Sequence, residues 1–373
     1  MRREAAAISP IVEIIGAIRA GEIVILIDDE DRENEGDLVF AAEFVSPEKI
    51  NFLAKHGRGL VCMPITQAHA LRLGLRPMVE HNRSRHGTNF TTSIEAAEGI
   101  ATGISAHDRA LTIKVAASES ARPDDIVQPG HVFPLVAQPG GVLVRAGHTE
   151  ACCDLARLAG VTPAAVLCEI MRDDGSMARL PDLVEFAAAH GLRIGTIADL
   201  IEYRSRNESL VQRVAEREIV TPWGAFRLVS YRDLVLGSVH LALVLGTPSP
   251  QEETLVRVHE PLSVLDLLDA GQGTHSWGVG EALEAIRGAG CGVAVLLNCT
   301  QSTEALEAQL ADPAGEQRVS RPVDLRVYGI GAQILRDLGV RRMRLMAAPR
   351  KMPSMAGFGL EVVGYVKGAP GKG

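Results

Sequence analysis

The chain has 373 residues, enough for two domains of ordinary size. Hydrophobic residues make up 46% and charged residues 23%, the balance of a globular protein with full cores. A formal net charge of -8 argues against a broad basic face and so against nucleic acid as a partner.

The N-terminus carries positive charge, but Glu13 and Arg19 break its apolar run, so a signal peptide is not expected. No stretch reaches the roughly 18 apolar residues of a membrane span. The six cysteines are Cys62, Cys152, Cys153, Cys168, Cys291 and Cys299, with no C-x-x-C pair. They suit free thiols in a reducing compartment, and a cytoplasmic location is expected.

In chain order, Ser9 and Pro10 open a predicted helix over IVEIIGAIRA, with Ser9 as N-cap and Gly21 ending it. EIVILID reads as a buried strand and DLVFAAEFV as a second. Between them lies DDEDRENEGD, in which seven of ten residues are carboxylates. SPEKINFLAKHG reads as a helix capped by Ser46, and GLVCMPI as a strand. Residues 76–93 are polar and irregular, a candidate lid. SAHDRALTIKVAAS is a helix opened by Ser105 and Asp108. GHVFPLVAQPGGVLVRAGH is expected to hold two strands around a Pro-Gly-Gly turn. EACCDLARLAG, TPAAVLCEIMR, PDLVEFAAAHG and IADLIEYR all read as helices. The charged stretch from Arg204 to Glu218 reads as a connector. A second α/β unit follows, with strands at AFRLVSYRD, HLALVLG, GVAVLL, RMRLM and GLEVVGYV, and helices at GEALEAIRGAG and GAQILRDLG.

The acidic loop is either a solvated turn or a site for a divalent cation. Counting from Asp29, Asn34 and Phe40 stand where a calcium-binding EF-hand loop needs Gly and Glu. Mg²⁺ asks for less: one or two carboxylates, with water and substrate oxygens completing its shell. In RAGHTEA, Arg145 offers a fork for an oxyanion, and the N–H groups of Gly147, His148 and Thr149 open a helix, a natural anion seat. Glu169, in an apolar stretch, suits proton transfer if its pKa is raised, or else pairs with Arg172.

DDEDRENEGDLVFAAEFV, TGISAHDRALTI, PGHVFPL and RAGHTEA, in this order, closely resemble 3,4-dihydroxy-2-butanone 4-phosphate synthase of riboflavin biosynthesis, from about Ile8 to Tyr203. The resemblance implies a lyase that converts D-ribulose 5-phosphate to 3,4-dihydroxy-2-butanone 4-phosphate and formate with Mg²⁺ or Mn²⁺. It implies Glu33 and His148 as metal ligands, and Arg32, Asp37, Arg145, Thr149 and Glu169 as substrate contacts. It implies His131 and Glu169 as the essential acid–base residues, and a homodimer with the site near its interface. Asp28, Glu30, Glu35 and Cys62 receive no assigned role.

TPWGAFRLVSYRD, LVRVHE, YGIGAQILRDLGVRRMRLM and APRKMPSMAGFGLEVV resemble GTP cyclohydrolase II. That family needs three cysteines for a catalytic zinc, but no Cys lies between Cys168 and Cys291. Pro261, Ser276 and Trp277 do not replace thiolates, although His275 is a possible ligand. NCTQSTEAL stands where the family has an Arg-containing, Gly-rich catalytic stretch, and Arg350 and Lys351 are kept. The expected organisation is α/β throughout, in mixed sheet layers: a synthase domain over 1–205, a linker over 206–216, and a cyclohydrolase II-like domain over 217–373. The last is expected to bind no zinc, to lack cyclohydrolase activity, and to be structural or regulatory.

Overall fold

The fold is that of a computed structural model, described over residues 8–84, 86–259, 276–297, 325–349 and 355–367. The chain divides into two compact units, Met1–Tyr203 and Arg204–Gly373.

The first unit runs α1 (Ile11–Arg19), β1 (Val24–Ile27), β2 (Gly36–Ala41), α2 (Pro47–Phe52), β3 (Cys62–Ile65), α3 (Gln67–Arg72), β4 (Ile94–Ala96) and α4 (Ala106–Ala117). It continues with β5 (Ile126–Val136), α5 (His148–Ala159), β6 (Ala165–Glu169), α6 (Leu180–His190) and β7 (Arg193–Thr196). Helix α7 (Ile197–Asn207) contains the division between the units. The seven strands form one mixed sheet in the order β4-β5-β3-β6-β2-β1-β7. Every residue of β1 and β2 is buried, as their continuous apolar runs require when both faces of a sheet are covered. Ile25, Phe40, Ile50, Met63, Ile113 and Leu183 anchor the core.

Local capping follows the sequence at two helices. Ser46 accepts the Lys49 N–H at the start of α2, and Ser105 accepts the Asp108 N–H at the start of α4. At α1 the cap shifts by one residue: Pro10 takes the N-cap position, and the Ser9 N–H instead donates to the Ile194 carbonyl.

Three expectations are corrected. TPAAVLCEIMR is not a helix; its centre is β6, paired antiparallel with all but the first residue of β2. A short apolar run carries no decisive period, and the open edge of β2 selects the strand. The second strand expected after Pro-Gly-Gly is absent, because Gly140 and Gly141 both take positive φ and lead into a single 3-10 turn at Gly141–Leu143. The expected linker at 206–216 is mostly regular structure, since α7 ends at Asn207 and a strand begins at Val211.

That strand, β8 (Val211–Thr221), opens the second unit. It is followed by β9 (Gly224–Asp233), β10 (Val239–Leu245), β11 (Glu253–His259), α8 (Val279–Ala289) and β12 (Gly292–Leu296). Helix α9 (Leu325–Asp337), β13 (Arg342–Met346) and β14 (Glu361–Val366) complete it. The sheet order is β14-β13-β11-β12-β10-β9-β8, antiparallel from β8 to β12 and parallel from β12 to β14. Phe226, Leu243, Ile286, Leu296 and Met346 pack its core. No described helix is long and apolar enough to cross a membrane.

Candidate active site

The acidic loop is the connection between β1 and β2, closed where Ile27 pairs with Gly36 and where the Asp28 N–H donates to the Glu35 carbonyl. Asp28 organises it from inside. One carboxylate oxygen accepts the Glu33 N–H at 3.0 Å and the Arg32 guanidinium at 2.9 Å; the other accepts the Glu35 N–H at 2.8 Å. Arg32 also pairs with the Glu33 carboxylate at 3.0 Å. Burial opposes the charge on Arg32, but Glu33 and Asp28 more than restore it and raise its pKa. So much negative charge folds here because one buried arginine and several backbone amides balance it.

His148 reaches the loop from the first position of α5. Its Nε2 lies 3.0 Å from the Leu26 carbonyl, which can only accept. Nε2 therefore carries the proton, and the Nδ1 lone pair, 3.8 Å from Asp37, faces the loop. Burial holds the imidazole below its usual pKa despite the attraction of Asp28, which keeps it a neutral donor. Asp28, Glu33 and His148 each offer a ligand atom, and these atoms lie within 4.8 Å of one another. No second group of three or more such ligands occurs among the described residues. Two carboxylates and one imidazole suit Mg²⁺ or Mn²⁺ better than a thiophilic metal. Two buried atoms beside them, Arg32 Nε and Asp37 Oδ1, have no hydrogen-bond partner, so the site keeps polar capacity for a ligand.

Asp37 and Glu169 face each other across the β2–β6 pair. Burial raises the Asp37 pKa well above the usual range, and Glu169, Glu33, Glu35 and Asp28 push it the same way. A carboxyl placed in this way suits proton transfer. Glu169 accepts the Leu60 N–H at 2.8 Å, with Gly59 against it where a Cβ would collide with its carboxylate. The alternative partner Arg172 is committed to Asp182 instead. Cys62 lies next to this pair, buried as a protonated thiol whose pKa burial, then Glu169 and Asp37, raise.

Arg145 and Thr149 are buried at the N-terminal end of α5. The Arg145 fork is already engaged, with Glu150 at 2.6 Å and the His86 carbonyl at 2.9 Å. The segment 76–93 is thereby tied to the helix end, and it folds back on itself through the bond from Met78 N–H to the Phe90 carbonyl. His131 sits apart on β5. Its Nδ1 contacts the Glu95 carboxylate on β4, and Gly103 leaves room for both.

Sequence reasoning missed Asp28 as organiser, Glu95 as the partner of His131, and Arg179, which bonds the loop's backbone. A carboxylate whose neighbours are backbone amides has no sequence signature. In the second unit, Trp277 is buried and its indole N–H donates to the Val366 carbonyl. Pro261, His275, Cys299, Arg350 and Lys351 lie outside the described residues.

Residues 12–203 match the family model of 3,4-dihydroxy-2-butanone 4-phosphate synthase, and residues 212–367 match that of GTP cyclohydrolase II. A 3,4-dihydroxy-2-butanone 4-phosphate synthase of Neisseria meningitidis serogroup B is 55% identical over 96% of this chain and 98% of its own. The crystal structure of a two-domain synthase from A. baumannii, RibBX, covers 97% of this chain and 100% of its own, with TM-score 0.68 and 48% identity. A synthase structure in complex with two magnesium ions covers 53% of this chain and 98% of its own, with TM-score 0.52 and 42% identity. The chain therefore belongs to the 3,4-dihydroxy-2-butanone 4-phosphate synthase family, with a domain of the GTP cyclohydrolase II family after it.

Proposed function

We propose that the first unit converts D-ribulose 5-phosphate to 3,4-dihydroxy-2-butanone 4-phosphate and formate, with Mg²⁺ or Mn²⁺ held by Glu33 and His148. The observation that carries this is the convergence of Glu33, His148 and Asp28 beside the facing pair Asp37 and Glu169. Held by Glu33 and His148, the metal would supply positive charge beside the negative charge that develops on substrate oxygens. The relative solved with two magnesium ions supports that choice of cofactor.

The chain's own residues do the rest. Arg32 neutralises and orders the acidic loop. Asp37, buried among carboxylates and facing Glu169, contacts the substrate. Glu169 and His131 act as acid and base at different carbons, which explains why the chemistry uses groups on separate strands. Thr149 and the amide end of α5 receive the phosphate, with Arg145 stiffening that end through Glu150. A homodimer in the cytoplasm is the expected form.

The second unit is proposed to be structural or regulatory and to turn over no GTP, because its stretch between Cys168 and Cys291 supplies no thiolate. Formate release from ribulose 5-phosphate, with Mg²⁺ and with EDTA, tests the first reading on wild type and Glu33→Ala. Metal-dependent formate lost in the variant supports it; no formate from folded wild type removes it. Tightly bound zinc with GTP turnover would refute the second.

A further inference from the structure

The metal ligand Glu33 sits in a loop with no regular hydrogen-bond ladder, so something must hold its peptide still. On the amide side this is Asp28, which accepts the Glu33 N–H. On the carbonyl side it is Arg179, whose guanidinium donates to the Glu33 carbonyl at 2.7 Å and also to the Asn34 carbonyl. Asn34 has φ +55°, a left-handed conformation that few non-glycine residues adopt. A backbone turned this way aims successive carbonyls at one donor, and Arg179 stands where they converge.

Arg179 is itself well placed to act as a fixed post. It ends a tight hairpin that begins directly after Glu169: Ala178 N–H donates to the Ile170 carbonyl, Met171 bridges Met177, and Arg172 N–H donates to the Ser176 carbonyl. Its own N–H donates to Asp182, which also takes the Arg172 guanidinium. The hairpin is joined to the loop a second time, where the Ile170 N–H donates to the Gly36 carbonyl. Glu169 and the peptide of Glu33 are thus referenced to one rigid element.

We propose that Arg179 is a positioning residue for the metal ligand Glu33, fixing the carbonyl of the residue whose N–H Asp28 fixes. This rests on the reading of Glu33 as a metal ligand. Groups that orient metal ligands without touching the metal change affinity by about 10–100-fold when removed.

The test is Mn²⁺ titration of the metal-free full chain by electron paramagnetic resonance, with thermal unfolding followed in parallel, for wild type, Arg179→Lys and Arg179→Gln. The expected result is an Mn²⁺ Kd about 10–100-fold weaker in Arg179→Gln. A smaller loss is expected in Arg179→Lys, which keeps the charge without the planar fork. A Kd unchanged in every variant that folds overturns the proposal, and a lowered Tm with unchanged Kd assigns Arg179 to fold stability alone. A wild-type chain that binds no Mn²⁺ removes the metal reading itself, and this proposal with it.

Discussion

In the first unit, Asp28, Arg32, Glu33, Asp37 and His148 converge at the open end of the β1–β2 pair, and two of their buried atoms have no protein partner. In the second unit, several buried polar groups bond within the fold. The Tyr231 hydroxyl donates to Asp337, Arg257 donates to the Met346 and Trp277 carbonyls, and the Trp277 indole donates to Val366. Among the described residues each unit holds one seven-stranded mixed sheet, so the architecture does not separate them. The difference lies in ligand chemistry: among the described residues, a group of three candidate metal ligands occurs in the first unit alone. A fold tolerates a buried charge when it is paired, and a charge left with spare valence marks a place for a ligand.

The comparison breaks most sharply at the acidic loop. Glu33→Ala and His148→Ala are each expected to abolish both formate release and Mn²⁺ binding, measured on the same preparations. Either variant retaining both would return the loop to a solvated turn.

Glu169→Gln and His131→Ala should cost about 10²–10⁴-fold in formate release while Mn²⁺ binding persists, as removal of a general acid or base does. Loss of metal binding in Glu169→Gln would instead make that residue part of the metal site.

Tyr231→Phe sharpens the other side of the comparison. Losing its bond to Asp337 should lower stability by about 0.5–1.5 kcal/mol in urea unfolding, with formate release unchanged. A fall in formate release at constant stability would show that the second unit influences the first.

The smallest effect is chemical. Burial pushes the Cys168 thiol from an ordinary 9.0 to about 12, with Glu169 and Asp37 adding to it. The native thiol stays protonated at neutral pH, so iodoacetamide should leave it unmodified until the chain is denatured. Because the folded pKa is raised, this thiol's contribution to stability is complete below about 9 and declines as pH rises toward 12. Rapid labelling of native Cys168, located by mass spectrometry, would contradict that burial.

Elements whose own residues decide them were legible. The largely β-branched run VILI, stopped by the acidic loop, read as a buried strand and is one, and Ser46 and Ser105 announced their helices because a cap is a contact between near neighbours. Elements decided by a distant partner were not. Strand β8 is exposed along nearly its whole length, so it has no apolar alternation to display, and pairing with β9 holds it. AVLCE became a strand because β2 and β3 border it.

The same division runs through the site. Glu33, His148, Asp37 and Glu169 were legible through the resemblance to the synthase family, because each lies in or beside a short motif that the sequence carries whole. That Asp28 and Arg179 grip the backbone on both sides of the Glu33 Cα was decided only by tertiary structure. Backbone amides and carbonyls are the same at every residue. Which of them meets a distant side chain depends on the three-dimensional path of the chain and not on local sequence.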